Sequence, residues 1–160
     1  MNAKPRHKIS DFHWARILLV AWFVAIFLLP NSSRLLPSRL WFDAGSITVA
    51  DGIVGHPIVM DFDRTIYWPF WGTYSSVLRK VDEVEGFVTY CSTDEHSLDY
   101  APDAALPNPL TMDWWMWPDL TCRPNSEGRF KLYTIWRIQV FGKVLKTIRR
   151  ESNIFTVRMG

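Results

Sequence analysis

Two kinds of hydrophobic pattern divide this chain. Residues 17–29, ILLVAWFVAIFLL, run without a charge, whereas beyond residue 43 apolar and polar positions alternate in short bursts. The unbroken run predicts a helix that is apolar on every face, and period-two alternation predicts strands half buried against a core. The clearest strand is 129–140: Phe130, Leu132, Thr134, Trp136, Ile138 and Val140 share one face, and Arg129, Lys131, Tyr133, Ile135, Arg137 and Gln139 share the other. Shorter runs at 46–50, 57–62, 73–81 and 86–91 are rich in β-branched residues and bracketed by Gly45, Gly52, Gly55 and the acidic turn 82–85. Residues 143–149 and 153–158 predict two more strands, joined by a turn at Arg150-Glu151-Ser152. About seven short strands with frequent turn signals predict a mainly β protein, an antiparallel β-sandwich over 44–160.

The apolar run predicts a single transmembrane helix. Counted over 14–30 it reaches about 25 Å at 1.5 Å per residue, the short end of the spanning range. Lys4, Arg6, Lys8 and Arg16 precede it against Asp11 alone, and Arg34 and Arg39 follow it. The positive-inside bias therefore predicts a signal-anchor: a cytoplasmic tail over 1–13, a span over 14–30, a stalk over 31–43 and a domain on the far side. The expected location is a bacterial inner (cell) membrane with a periplasmic C-terminal domain. A cleaved signal peptide would share the basic start and apolar stretch, but Pro30-Asn31-Ser32-Ser33-Arg34 lacks the small-residue pair of a cleavage site.

Charge changes the picture little. Of 18 basic and 16 acidic side chains, the first sixteen residues hold four and one, leaving the remainder close to neutral. That balance predicts no nucleic-acid partner. Cys91 ends one expected strand and Cys122 precedes the long one, so in an oxidising space they predict a disulfide across the Pro-rich segment 92–121. Two unpaired thiols are the alternative. Neither cysteine has a second ligand at metal-binding spacing, and His56 and His96 stand alone, so no metal or other cofactor is expected.

Nine tryptophans in 160 residues give the strongest hint of a working surface. Trp114, Trp115 and Trp117 cluster with Met112 and Met116, and Trp68 and Trp71 form a second tract around Phe70. If the first tract is a strand, alternation sends Trp115 and Trp117 to one face and Trp114 and Met116 to the other. Exposed tryptophans mark binding surfaces, since each offers a large contact area at little entropic cost. The alternative is that these rings pack the core or lie against a bilayer.

Two stretches resemble known families. PIVMDFDRTIY, residues 57–67, resembles the first signature of haloacid-dehalogenase-like phosphatases. That resemblance implies Asp61 as nucleophile, Asp63 as acid/base, Thr65 beside them and Mg²⁺ nearby. Arg64 stands where that signature carries glycine, and the following residues are β-patterned instead of alternating strands and helices. A surface pairing of Arg64 with Asp61 or Asp63 is the non-catalytic expectation. Gly128-Arg129-Phe130-Lys131-Leu132-Tyr133-Thr134-Ile135-Trp136 followed by Ser152-Asn153-Ile154-Phe155-Thr156-Val157 resembles the late strands of membrane-anchored immunoglobulin-like sandwiches of bacteria and their phages. The expectation is a non-catalytic, single-pass protein, partnered with the lipid bilayer and another envelope or membrane protein. A membrane-tethered phosphohydrolase using Asp61 and Asp63, or a phage-type envelope or lysis accessory protein, is the alternative.

Overall fold

The computed structural model describes Trp14 and residues 16–23, 37–117, 121–140 and 142–160. The chain divides into two compact units, Met1–Pro37 and Ser38–Gly160. In the first, Trp14 and residues 16–23 are helical. A run such as 16–23 extends about 12 Å at 1.5 Å per residue, less than half of a hydrocarbon core of about 30 Å. Among the described residues, no helix is long and apolar enough to cross a membrane. Residues 24–30 of the expected span lie outside the described residues, as do the expected tail 1–13 and residues 31–36 of the expected stalk. The transmembrane helix over 14–30 is therefore corrected. The single-pass, signal-anchor topology, the inner-membrane location and the periplasmic placement of the domain rested on that helix and are corrected with it.

The second unit opens with a 3-10 turn, Ser38–Leu40. It continues through β1 (Phe42–Val49), β2 (Gly52–Ile53), β3 (Met60–Ile66), β4 (Phe70–Asp82), β5 (Gly86–Ser92), β6 (His96–Tyr100), α1 (Met112–Trp115), β7 (Gly128–Val140) and β8 (Lys143–Arg158). The strands form one sheet in the order β3-β1-β8-β7-β4-β5, with β2 also paired to β8 and β6 to β4. β1 and β2 run parallel to β8, while the other pairs are antiparallel. The expected immunoglobulin-like antiparallel sandwich is corrected to this single mixed sheet. The physical reason is length: β4, β7 and β8 hold 13, 13 and 16 residues. Strands this long stay paired along their length, through the register shifts of β7 and β8, where a sandwich would break into two layers.

One sheet encloses a core by curling. Phe62 on β3 and Trp136 on β7 are three strands apart, about 14 Å on a flat sheet with strands about 4.8 Å apart. Their rings instead stack with centroids 5.3 Å apart. Phe42 on β1 likewise reaches Phe70 on β4 at 5.8 Å and Tyr100 on β6 at 6.0 Å. The β1–β3 arm thus folds over the face of β7 and β4, and burying these rings against one another drives the curl. The predicted inner face of β7 is confirmed: Phe130, Leu132, Thr134, Trp136 and Ile138 are all buried. Beyond β3, the backbone of 110–112 pairs with the strand's start through Met60 N–H to Leu110 O (3.0 Å) and Met112 N–H to Ile58 O (2.8 Å). Cys91 and Cys122 form a disulfide with their Cα atoms 5.3 Å apart, tying β5 to the segment before β7.

Arg150-Glu151-Ser152, expected as a turn, lies inside β8. The register between β7 and β8 shifts between Lys131 and Tyr133, a bulge opposite Leu132. The Ser152 hydroxyl accepts the buried Leu132 N–H at 2.9 Å. Next to it, the Asn153 amide clamps β1, accepting Val49 N–H (2.8 Å) and donating to Val49 O (2.9 Å). Two polar side chains thereby replace ladder bonds that the irregular register forfeits. Ser152→Ala is expected to cost about 1–3 kcal/mol, because a buried donor loses its acceptor. Urea unfolding of the variant checks this, and an unchanged midpoint would show that Leu132 finds another partner.

Candidate functional site

Where a strand was one expectation for the tract at 110–117, its start pairs with the chain before β3 at Thr111 and Met112–Trp115 turns helical. The Thr111 hydroxyl caps α1 by accepting Trp114 N–H at 3.4 Å. Helical spacing then turns Met112, Trp115 and Met116 inward, while Trp114 and Trp117 point out at 47% and 61% exposure. Alternation would have paired Trp115 with Trp117. The structure pairs Trp114 with Trp117 on the exposed side.

The buried side of this turn is anchored by polar bonds as well as packing. The Trp115 indole N–H donates to the Thr134 hydroxyl at 3.1 Å, and Thr134 shares a 2.9 Å hydroxyl–hydroxyl bond with Ser76. Thr134 and Ser76 are both fully buried. The Tyr74 hydroxyl donates to Trp117 O at 3.2 Å. Trp115 also meets Phe62 edge-on at 5.0 Å. The two exposed tryptophans therefore stand on a turn whose inner side is fixed to β3, β4 and β7.

Trp68 and Trp71 stand elsewhere, at the β3–β4 connection and the start of β4. Trp68 is exposed, and Trp71 is exposed opposite Gln139 and Asp99 on the sheet's outer face. Further along that face the Glu95 carboxylate accepts the Thr73 hydroxyl and pairs with Arg137 at 2.7 Å. The Thr73 hydrogen bond, aided by Arg137, holds the Glu95 carboxyl below its ordinary value of 4.5. The unfolded chain takes up this proton first as pH falls. Stabilisation from Glu95 is therefore present above about pH 4.5 and lost as pH drops through its lowered folded value. Glu95→Gln is expected to flatten the acid limb of a stability-against-pH curve between about pH 5 and 3, and an unchanged limb would refute the assignment.

Asp61 and Asp63 are exposed on the outer face of β3, with Asp61 opposite Thr48 of β1. Their strand belongs to an antiparallel pair, whereas the phosphatase signature sits in a parallel sheet. Among the described residues, no three His, Cys, Asp or Glu side chains converge to hold a metal ion.

Arg64 departs from both sequence expectations. It lies on the inward face of β3 between buried Phe62 and Ile66, and among the described residues it forms no ion pair with Asp61 or Asp63. Its Nη2 donates to Ala104 O at 2.9 Å. Burial pulls its guanidinium below the usual arginine range, partly opposed by nearby Tyr100. Arg64 borders a cleft of about 40 Å³ walled by Tyr74, Leu98, Tyr100, Leu106, Trp114, Trp115 and Trp136. Burial raises the phenol pKa values of Tyr74 and Tyr100, so both stay neutral at ordinary pH. Of these residues the sequence singles out Trp114 and Trp115, places Arg64 in a surface pairing, and marks neither Tyr74 nor Tyr100. The signal was the alternation of Phe62, Arg64 and Ile66, which puts the arginine on the core side.

No protein-family model, curated protein or solved structure matches this chain.

Proposed function

We propose that the β domain is a non-catalytic binding module that assembles with another protein through Trp114 and Trp117. The observation that carries this reading is their placement: two large rings left in solvent on a turn whose other side is locked into the core. Rings held this way lose little further freedom on binding, so more of their contact energy appears as affinity. Interface hot spots are enriched in tryptophan, and truncating one commonly costs 2 kcal/mol or more, about a thirtyfold loss of affinity.

The test uses the full chain as bait against an extract of its own source cells. A specifically captured partner should be lost with the Trp114→Ala/Trp117→Ala double variant and kept with Trp68→Ala/Trp71→Ala. Capture that ignores Trp114 and Trp117 while thermal melts show both variants folded would refute the reading.

A further inference from the structure

Arg64 is a cation placed among aromatic and aliphatic walls with no carboxylate among the described residues to balance it. Its Nη2 donates to the Ala104 carbonyl. A guanidinium presents five N–H donors in a planar fork suited to a carboxylate. The remaining walls carry no charge, and four of them are the aromatic side chains of Tyr74, Trp114, Trp115 and Trp136. We propose that this cleft is the specificity pocket of the binding surface and receives an acidic side chain of the partner, Asp or Glu, flanked by an aromatic or aliphatic residue. The carboxylate meets Arg64 and the apolar neighbour lies on Trp114. This rests on the proposed binding function, since Trp114 belongs to both the cleft and the exposed pair.

Charge complementarity selects this occupant. Aromatic walls alone would equally suit a cation, held by the ring faces. Arg64 reverses that preference by repelling a second positive charge and supplying donors to a negative one. Burial has already stripped part of the guanidinium's water, so an incoming carboxylate recovers interaction that solvent no longer provides. The open cleft of about 40 Å³ beside Arg64 admits a group of a few heavy atoms, such as a carboxylate head, and leaves the apolar neighbour on the rim.

Three probes with one ring and three charges test the electrostatics: phenylacetate, phenylacetamide and phenethylammonium. Binding is followed through the indole N–H resonances of the full-length protein. Phenylacetate is expected to shift the Trp114, Trp115 and Trp136 signals with a Kd on the order of millimolar, as suits so small a ligand. The amide and the ammonium should bind at least about tenfold more weakly. Arg64→Gln should abolish that preference, and Arg64→Lys, which keeps the charge, should retain part of it. Trp114→Ala, at an exposed position, weakens all three without threatening the fold. Acetyl-Phe-Glu-amide should then outbind acetyl-Phe-Gln-amide by a similar factor.

Equal binding of the three probes, preference for the ammonium, or no shift at these three indoles would overturn the proposal. Phenylacetate binding without any preference for the glutamyl peptide would also overturn it, pointing to a small-molecule carboxylate site. Should the probes fail while partner capture still depends on Trp114 and Trp117, the pocket assignment falls and the binding function stands.

Discussion

Reducing the Cys91–Cys122 disulfide is expected to lower the unfolding free energy of the β domain by about 4 kcal/mol. The bridge spans 31 residues, and the chain-entropy model gives about that figure for a loop of this length. At about 4 °C per kcal/mol for a domain of this size, the melting temperature should fall by roughly 15 °C. Melts with and without a reductant, together with a Cys91→Ala/Cys122→Ala variant, check this. A fall of less than about 4 °C would mean that the unfolded chain is already restrained across the loop.

The disulfide also bears on binding. The bridged loop carries β6 and α1, hence Leu98, Tyr100, Trp114 and Trp115 of the cleft. After reduction α1 would keep the bonds of 110–112 to β3, Trp115 to Thr134 and Tyr74 to Trp117 and the packing of Met112, Trp115 and Met116, but the loop that carries it would lose its covalent tie to β5. Partner affinity should therefore fall under reducing conditions before the domain unfolds. Retention of full affinity in reductant would show that those bonds suffice.

These two features differed in how openly the sequence displayed them. The cysteine pair was legible because the chain has only two cysteines, one on each side of the Pro-rich segment. The face of β7 was legible because one side packs on the core and the other meets solvent, which imprints a period of two. β6 was not, since Ser97, Leu98 and Asp99 are all exposed and nothing in His96–Tyr100 alternates clearly. The two-strand expectation for β8 follows the turn composition of Arg150-Glu151-Ser152, but Arg150 and Glu151 pair in register and Ser152 enters a bulge with Asn153. The strand expectation for α1 follows the β preference of its tryptophans, whereas the Thr111 cap starts a helical turn there.

The membrane reading failed for a different reason. Apolar composition over 14–30 measures affinity for a non-aqueous surrounding, whereas a span needs a helix long and apolar enough to cross, and among the described residues there is none. The sandwich reading failed because strand order is a property of distant pairings. Nothing local at Phe42 or Phe62 announces that Trp136 will be their neighbour. Arg64 is legible only in part: its alternation with Phe62 and Ile66 marks the inward face, while its aromatic surroundings arise only when the sheet curls.

That curl carries the largest single-residue effect expected here. Trp136 is buried and touches Phe42 at 5.5 Å, Phe62 at 5.3 Å and Trp115 at 6.1 Å. Trp136→Ala should cost about 3–5 kcal/mol through lost burial and the cavity left behind. For a domain whose total stability is on the order of 5–15 kcal/mol, that loss can unfold it outright. The milder pair Phe62→Leu and Trp136→Phe keeps the question measurable in a double-mutant cycle by urea unfolding. On a flat sheet the two positions, about 14 Å apart, would be additive within about 0.5 kcal/mol. Rings stacked at 5.3 Å should instead show coupling of about 0.5–3 kcal/mol, because either substitution alone disturbs what the other ring packs against. Additivity would reopen the sheet, remove the wall that Trp136 gives the cleft, and leave Arg64 facing water instead of aromatic rings.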